Sequence, residues 1–131
     1  MAATFTRVTG HQHCQKFTSS GTMAAGTLVQ FDESGVVAVA ATNKSVAGIL
    51  LEAAASSNVV LVDMITAGDK VKATGLGITL TASSVGATFD LSAGSDLASS
   101  SNKDVVCADF ISATSGNFWF QKTVRGGSIL V

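Results

Sequence analysis

Short apolar runs, broken by turn residues roughly every ten positions and nowhere interrupted by proline, constrain this 131-residue chain more than any other feature. The cleanest run is Leu76 to Thr81, in which Leu76, Ile78 and Leu80 alternate with Gly77, Thr79 and Thr81, the period of a half-buried strand. Comparable runs lie at Thr27 to Asp32, Val36 to Ala41, Val46 to Glu52, Val59 to Ile65, Asp69 to Ala73, Ala87 to Leu91, Val105 to Ile111, Phe118 to Val124 and Ser128 to Val131. Clusters such as Asp32-Glu33-Ser34-Gly35 and Ser56-Ser57-Asn58 separate them. This spacing predicts an all-β fold, a small β-barrel or sandwich of short antiparallel strands. Without proline, and with few charges, sheet edges need another protection, which closure of the sheet or pairing with a neighbouring subunit supplies.

Residues 1–20 read differently. Phe5, Val8 and Phe17 stand isolated among Thr, Gln, His and Ser with no sustained period. The expectation is an extended N-terminal arm over 1–20 and a β-barrel domain over 21–131. Phe5, Val8 and Phe17 are then candidate interface residues, inserting one at a time into a neighbour. The two halves of the barrel also look related. Asn43-Lys44-Ser45-Val46 returns 59 residues later (102 − 43) as Asn102-Lys103-Asp104-Val105, and Ser56-Ser57-Asn58 lies over Ser115-Gly116-Asn117.

Charged residues make up 13% of the chain, about half the usual share, and the net charge is −1. A surface so weakly charged resists association poorly, which suits a subunit whose faces are covered in an assembly. No basic face is available to neutralise a phosphate backbone, so nucleic acid is not expected as a partner. Nor does any run reach the length of a membrane span or a signal-peptide apolar region, so no membrane association is expected and the chain is expected to be made in the cytosol. Cys14 and Cys107 read as buried free thiols rather than a disulfide.

Candidate chemistry is sparse. His11-Gln12-His13-Cys14 holds metal-ligand side chains but lacks a fourth ligand, so no metal site is assigned. Both histidines lie in the arm, away from any rigid nucleophile, and the pairs Asp63/Asp69 and Asp104/Asp109 read as solvated strand-end acids. No catalytic residue and no cofactor are expected, and the chain is not read as an enzyme. Gly75-Leu76-Gly77 lacks the rest of a phosphate loop. In Phe118-Trp119-Phe120 the tryptophan faces opposite its neighbours, which makes Trp119 a fourth candidate interface residue.

Three stretches carry a resemblance: Gly21-Thr22-Met23-Ala24-Ala25-Gly26-Thr27-Leu28-Val29-Gln30, Val46-Ala47-Gly48-Ile49-Leu50-Leu51-Glu52 and Ala67-Gly68-Asp69-Lys70-Val71-Lys72. Together they resemble the small Gly/Ala/Val-rich β-barrel decoration, or cement, proteins of tailed-bacteriophage capsids. The resemblance covers about residues 21–124 and implies a structural virion protein on the capsid surface. Its partners would be the major capsid protein and further copies of itself, as a trimer. The alternatives are a glycan- or host-binding module of a tail or fibre, with Trp119 stacking on the ligand, and a tail or adaptor ring subunit.

Overall fold

A computed structural model describes residues 3–38, 45–92, 96–99 and 103–124. The strands are β1 (Thr4–Arg7), β2 (Cys14–Thr18), β3 (Leu28–Asp32), β4 (Gly35–Ala38), β5 (Gly48–Leu50), β6 (Val59–Met64), β7 (Lys70–Thr74), β8 (Thr88–Ser92), β9 (Asp96–Ser99), β10 (Val105–Ser112) and β11 (Ser115–Phe120). The one helical element among the described residues is a single 3-10 turn, Ala82–Ser84. The fold is all-β, as the spacing of the runs predicts.

Two antiparallel sheets form, in the orders β2-β6-β5-β3-β4 and β1-β7-β11-β10-β8-β9. Setting β1 aside, the second order repeats the first strand for strand, with β7, β8, β9, β10 and β11 in the places of β2, β3, β4, β5 and β6. The registers repeat as well. Val29 faces Gly48 and Gly48 faces Met64, as Phe89 faces Val105 and Val105 faces Phe120. Leu50 faces Val62 and Val62 faces Gln15, as Cys107 faces Phe118 and Phe118 faces Val71. The hairpin pair Phe31 and Val36 corresponds to Leu91 and Leu97. The chain is therefore two five-stranded units in tandem plus one extra strand.

Five strands that alternate in direction bring two parallel strands together when the sheet curls on itself. In the first unit those are β2 and β4, linked by a parallel bridge between Ser19 and Val36 and by the Ser20 N–H to Val36 C=O bond of 2.9 Å. Gly35 makes the approach possible: its φ is +141° and a Cβ there would collide with the Thr18 carbonyl. In the second unit the corresponding join runs from the Gly77 N–H to both carboxylate oxygens of Asp96, at 3.1 and 3.2 Å.

Each unit has its own core. Val29, Val36, Leu50, Val60 and Val62 fill the first, with Met23 and Ala54 against them and Phe17 packed at the margin. Val71, Leu91, Leu97, Val105, Phe118 and Phe120 fill the second, together with Phe5, Leu28 and Ile49. Leu28 and Ile49 belong to the first sheet, so that sheet is buried on both faces and its far face docks on the second unit.

The arm expected over 1–20 is instead part of the fold. β1 pairs with β7 and β2 with β6, and Phe5 is 1% exposed, meeting Phe120 edge to face at 6.2 Å between centroids. The isolated apolar residues of this segment hid two strands because most of β2 faces solvent and β1 buries one large side chain.

Leu76 to Thr81 is the opposite case. It keeps its alternation of burial, with Leu76 and Leu80 inside and Gly77, Thr79 and Thr81 outside, but pairs with no strand. Gly75, at φ +70°, turns the chain out of β7. The Leu76 and Leu80 N–H groups then bond the Thr114 and Ala113 carbonyls of the β10–β11 turn, at 3.0 and 2.8 Å. The run at Phe118 to Val124 begins earlier, at Ser115, and stops at Phe120. Part of the Val36 to Ala41 run and all of Ser128 to Val131 lie outside the described residues.

Candidate docking face

Corresponding rows of the two sheets differ in one respect. In the first unit, Leu28, Ile49, Asp63 and Cys14 follow one another across β3, β5, β6 and β2 on the face turned toward the second unit. Leu28, Ile49 and Asp63 there are 0%, 2% and 1% exposed. In the second unit the same row is Thr88, Val106, Trp119 and Lys70, across β8, β10, β11 and β7. All four are only half-buried, on the face opposite Phe118 and Cys107.

The row extends one residue further. Val8 follows β1, its N–H donates to the Lys70 carbonyl at 2.8 Å, and its side chain is exposed. Val8, Lys70, Trp119, Val106 and Thr88 thus form one stripe of two aliphatic side chains, an aromatic one, an ammonium and a hydroxyl. Beside it run Thr6, Lys72, Asn117 and Asp109.

Two of the charges on this face are paired. Lys70 Nζ lies 3.0 Å from an Asp109 carboxylate oxygen and 5.7 Å from the Trp119 ring centroid. Asn117 donates its amide to Asp109 at 2.9 Å. The Asn117 amide and the Lys70 ammonium hold the Asp109 carboxyl below its ordinary value. The face is therefore polar at its rim, with one net positive charge from Lys72, and aromatic at its centre, a composition that suits a protein contact.

Of the four interface candidates from sequence, Val8 and Trp119 come together here. Phe5 is sealed in the core and cannot meet a partner. Phe17 lies elsewhere, stacked edge to face on Phe31 at 5.0 Å at the margin of the first core. Sequence reading missed Val106 and Lys70, although the alternation around Val105 and Cys107 marks Val106 as outward.

The remaining candidates resolve individually. His11, His13 and Cys14 are exposed, and among the described residues no three His, Cys, Asp or Glu side chains group to hold a metal. Cys14 is not a buried thiol; Cys107 is, and burial pushes its thiol up. Asp63 and Asp104 are not solvated acids. Arg7 donates Nε and Nη2 to the two Asp63 oxygens at 2.9 and 2.8 Å and pairs Nη1 with Asp69 at 2.8 Å. Asp104, also buried, accepts the Leu91 N–H at 2.9 Å and lies 3.3 Å from Lys122 Nζ. Both acids are fixed in structural bonds. The Gly77 N–H that a phosphate loop would leave free is spent on Asp96. No family model matches the chain, and no curated protein is similar enough in sequence to be taken as a relative.

Proposed function

We propose that this chain is a structural virion protein that binds the outer surface of an assembled phage capsid and reinforces it. The observation that carries the reading is the Val8–Trp119–Val106 stripe, exposed at Val8 and half-buried at Trp119 and Val106 among the described residues, while Ile49 and Asp63, the counterparts of Val106 and Trp119 in the first unit, are buried. A chain that buries much of one such row and, among its described residues, leaves the other partly exposed has a face of the right kind to offer a partner. The resemblance of residues 21–124 to capsid cement proteins supplies the partner, the major capsid protein. Three linked copies would make each weak contact durable, because the second and third attachments are intramolecular once the first has formed.

The test is saturable binding of purified protein to empty capsids of the encoding phage, read by co-sedimentation, with and without Trp119→Ala. Loss of a buried aromatic anchor costs about 2 kcal/mol or more, roughly thirtyfold in affinity. Decorated capsids should also withstand higher temperature than bare ones. Absence of capsid binding, with Trp119-dependent binding on a glycan array, would replace this reading with the tail or fibre module.

A further inference from the structure

A second feature lies where β1 meets the first unit. A cleft of about 390 Å³ is lined by all four residues of β1, by the consecutive Ile49, Leu50 and Leu51, and by Asp63. Side chains of a strand alternate between faces, so four consecutive residues border one space only where that space meets the strand's backbone edge.

Hydrogen bonding identifies that edge as open. In the β1–β7 ladder the even-numbered residues bond β7, a pattern that Val8 continues with its N–H to the Lys70 carbonyl. The odd-numbered ones point the other way: the Phe5 N–H goes to the Gly26 carbonyl at 2.9 Å. By the same alternation the Phe5 C=O, beside Gly26, and the Arg7 N–H and C=O point away from β7, to the side on which the cleft lies. Among the described residues none meets the Arg7 N–H.

We propose that this cleft receives an extended segment of the shell subunit, which adds to β1 as a further strand; the inference rests on the capsid-binding reading. An acceptor, a donor and an acceptor in succession along an extended edge are matched by another extended backbone, whose residue opposite Arg7 makes both bonds to it. The segment is short, because the alternation ends at Thr9, whose N–H goes to the Lys70 carbonyl at 3.2 Å instead of continuing the free edge. It is uncharged opposite Arg7, since that guanidinium is already held by Asp63 and Asp69. Leu51, 37% exposed at the cleft, takes an apolar side chain from it.

Short peptides tiling the major capsid protein, added to nitrogen-15-labelled protein, test this. One tile should shift the Arg7, Gly26 and Leu51 amide signals and slow Arg7 amide exchange. Methylating the one backbone nitrogen of that peptide that meets the Arg7 carbonyl should weaken it about tenfold, the loss of roughly one hydrogen bond, while methylating the nitrogen next to it, which faces away from β1, should leave it unchanged. Leu51→Asp should weaken it comparably without lowering the melting temperature. Capsids that bind the protein while the Arg7 amide stays unprotected would overturn the cleft assignment and leave the capsid reading standing. A peptide indifferent to methylation on either side would overturn strand addition. Tiles from this chain binding in place of capsid tiles would assign the cleft to a second copy and refute the stated source. If neither capsids nor tiles bind, the capsid reading and this one fall together.

Discussion

Replacing Arg7 by methionine tests whether the two units are locked by charge. The guanidinium lies between Asp63 of β6 and Asp69 of the link to β7, with side chains 11%, 1% and 12% exposed for Arg7, Asp63 and Asp69. Methionine keeps most of the buried stem but strands the Asp63 carboxylate, and removing one partner of a buried pair costs about 3–5 kcal/mol. The His13 N–H still donates to Asp63 at 3.2 Å, so the lower end, about 3 kcal/mol, is expected. Set against a total stability of about 5–15 kcal/mol for a small domain, that is a large share. With a urea slope of about 1–3 kcal/mol per molar, the midpoint should fall by about 1.5 M. Adding Asp63→Asn should recover much of the loss, because a neutral amide leaves no uncompensated charge. A loss under about 1 kcal/mol, the worth of an exposed pair, would refute the argument. So would a double variant no more stable than Arg7→Met.

Leu80→Ala, at a site 2% exposed, should cost about 2–5 kcal/mol in chemical denaturation, and Ile78→Ala, only partly buried, distinctly less. For Asp109, whose folded value is depressed, the stabilising contribution is present above the ordinary value of 3.8 and is lost as pH falls through the folded value. Its carboxyl carbon should titrate below 3.8 by NMR, and Lys70→Met should move that midpoint up. A chain starting at Gly21 loses β1, β2 and Phe5 and should show no cooperative melting by circular dichroism, contrary to what a detachable arm would give.

How much of this was legible in the sequence follows the physics of each segment. Runs rich in β-branched residues and bounded by turns, such as Val59 to Ile65 and Val105 to Ile111, mark their strands even without a clean alternation. β1 and β2 do not, since Phe5 is the one large side chain that β1 buries and β2 buries none fully. Leu76 to Thr81 shows the period without the strand, because alternation records which side faces the core and says nothing about where the N–H groups go. The internal repeat was visible, but the alignment of Val46 with Val105 is two residues out of step with the registers, which set Gly48 opposite Val105. A shift of two preserves the faces of a strand, so the likeness survived the error. The Arg7 clasp left no local signal, its partners being 56 and 62 positions away (63 − 7 and 69 − 7).

The two corresponding rows also place different demands on the fold. Leu28 and Ile49 in water would expose apolar surface, and Asp63 becomes tolerable inside only because β1 brings Arg7 to it. The first row therefore demands a cover that the chain itself must supply, and β1, which belongs to neither unit, completes it. The corresponding second row, Thr88, Val106, Trp119 and Lys70, carries a hydroxyl, an ammonium and an indole that water can solvate, so the fold does not depend on covering it. A partner that does cover it gains the burial of Trp119 and Val106 without having been needed for folding. Such a division suits a protein that matures alone and attaches later, and it predicts that changes at Trp119 separate attachment from stability while changes at Ile49 cannot.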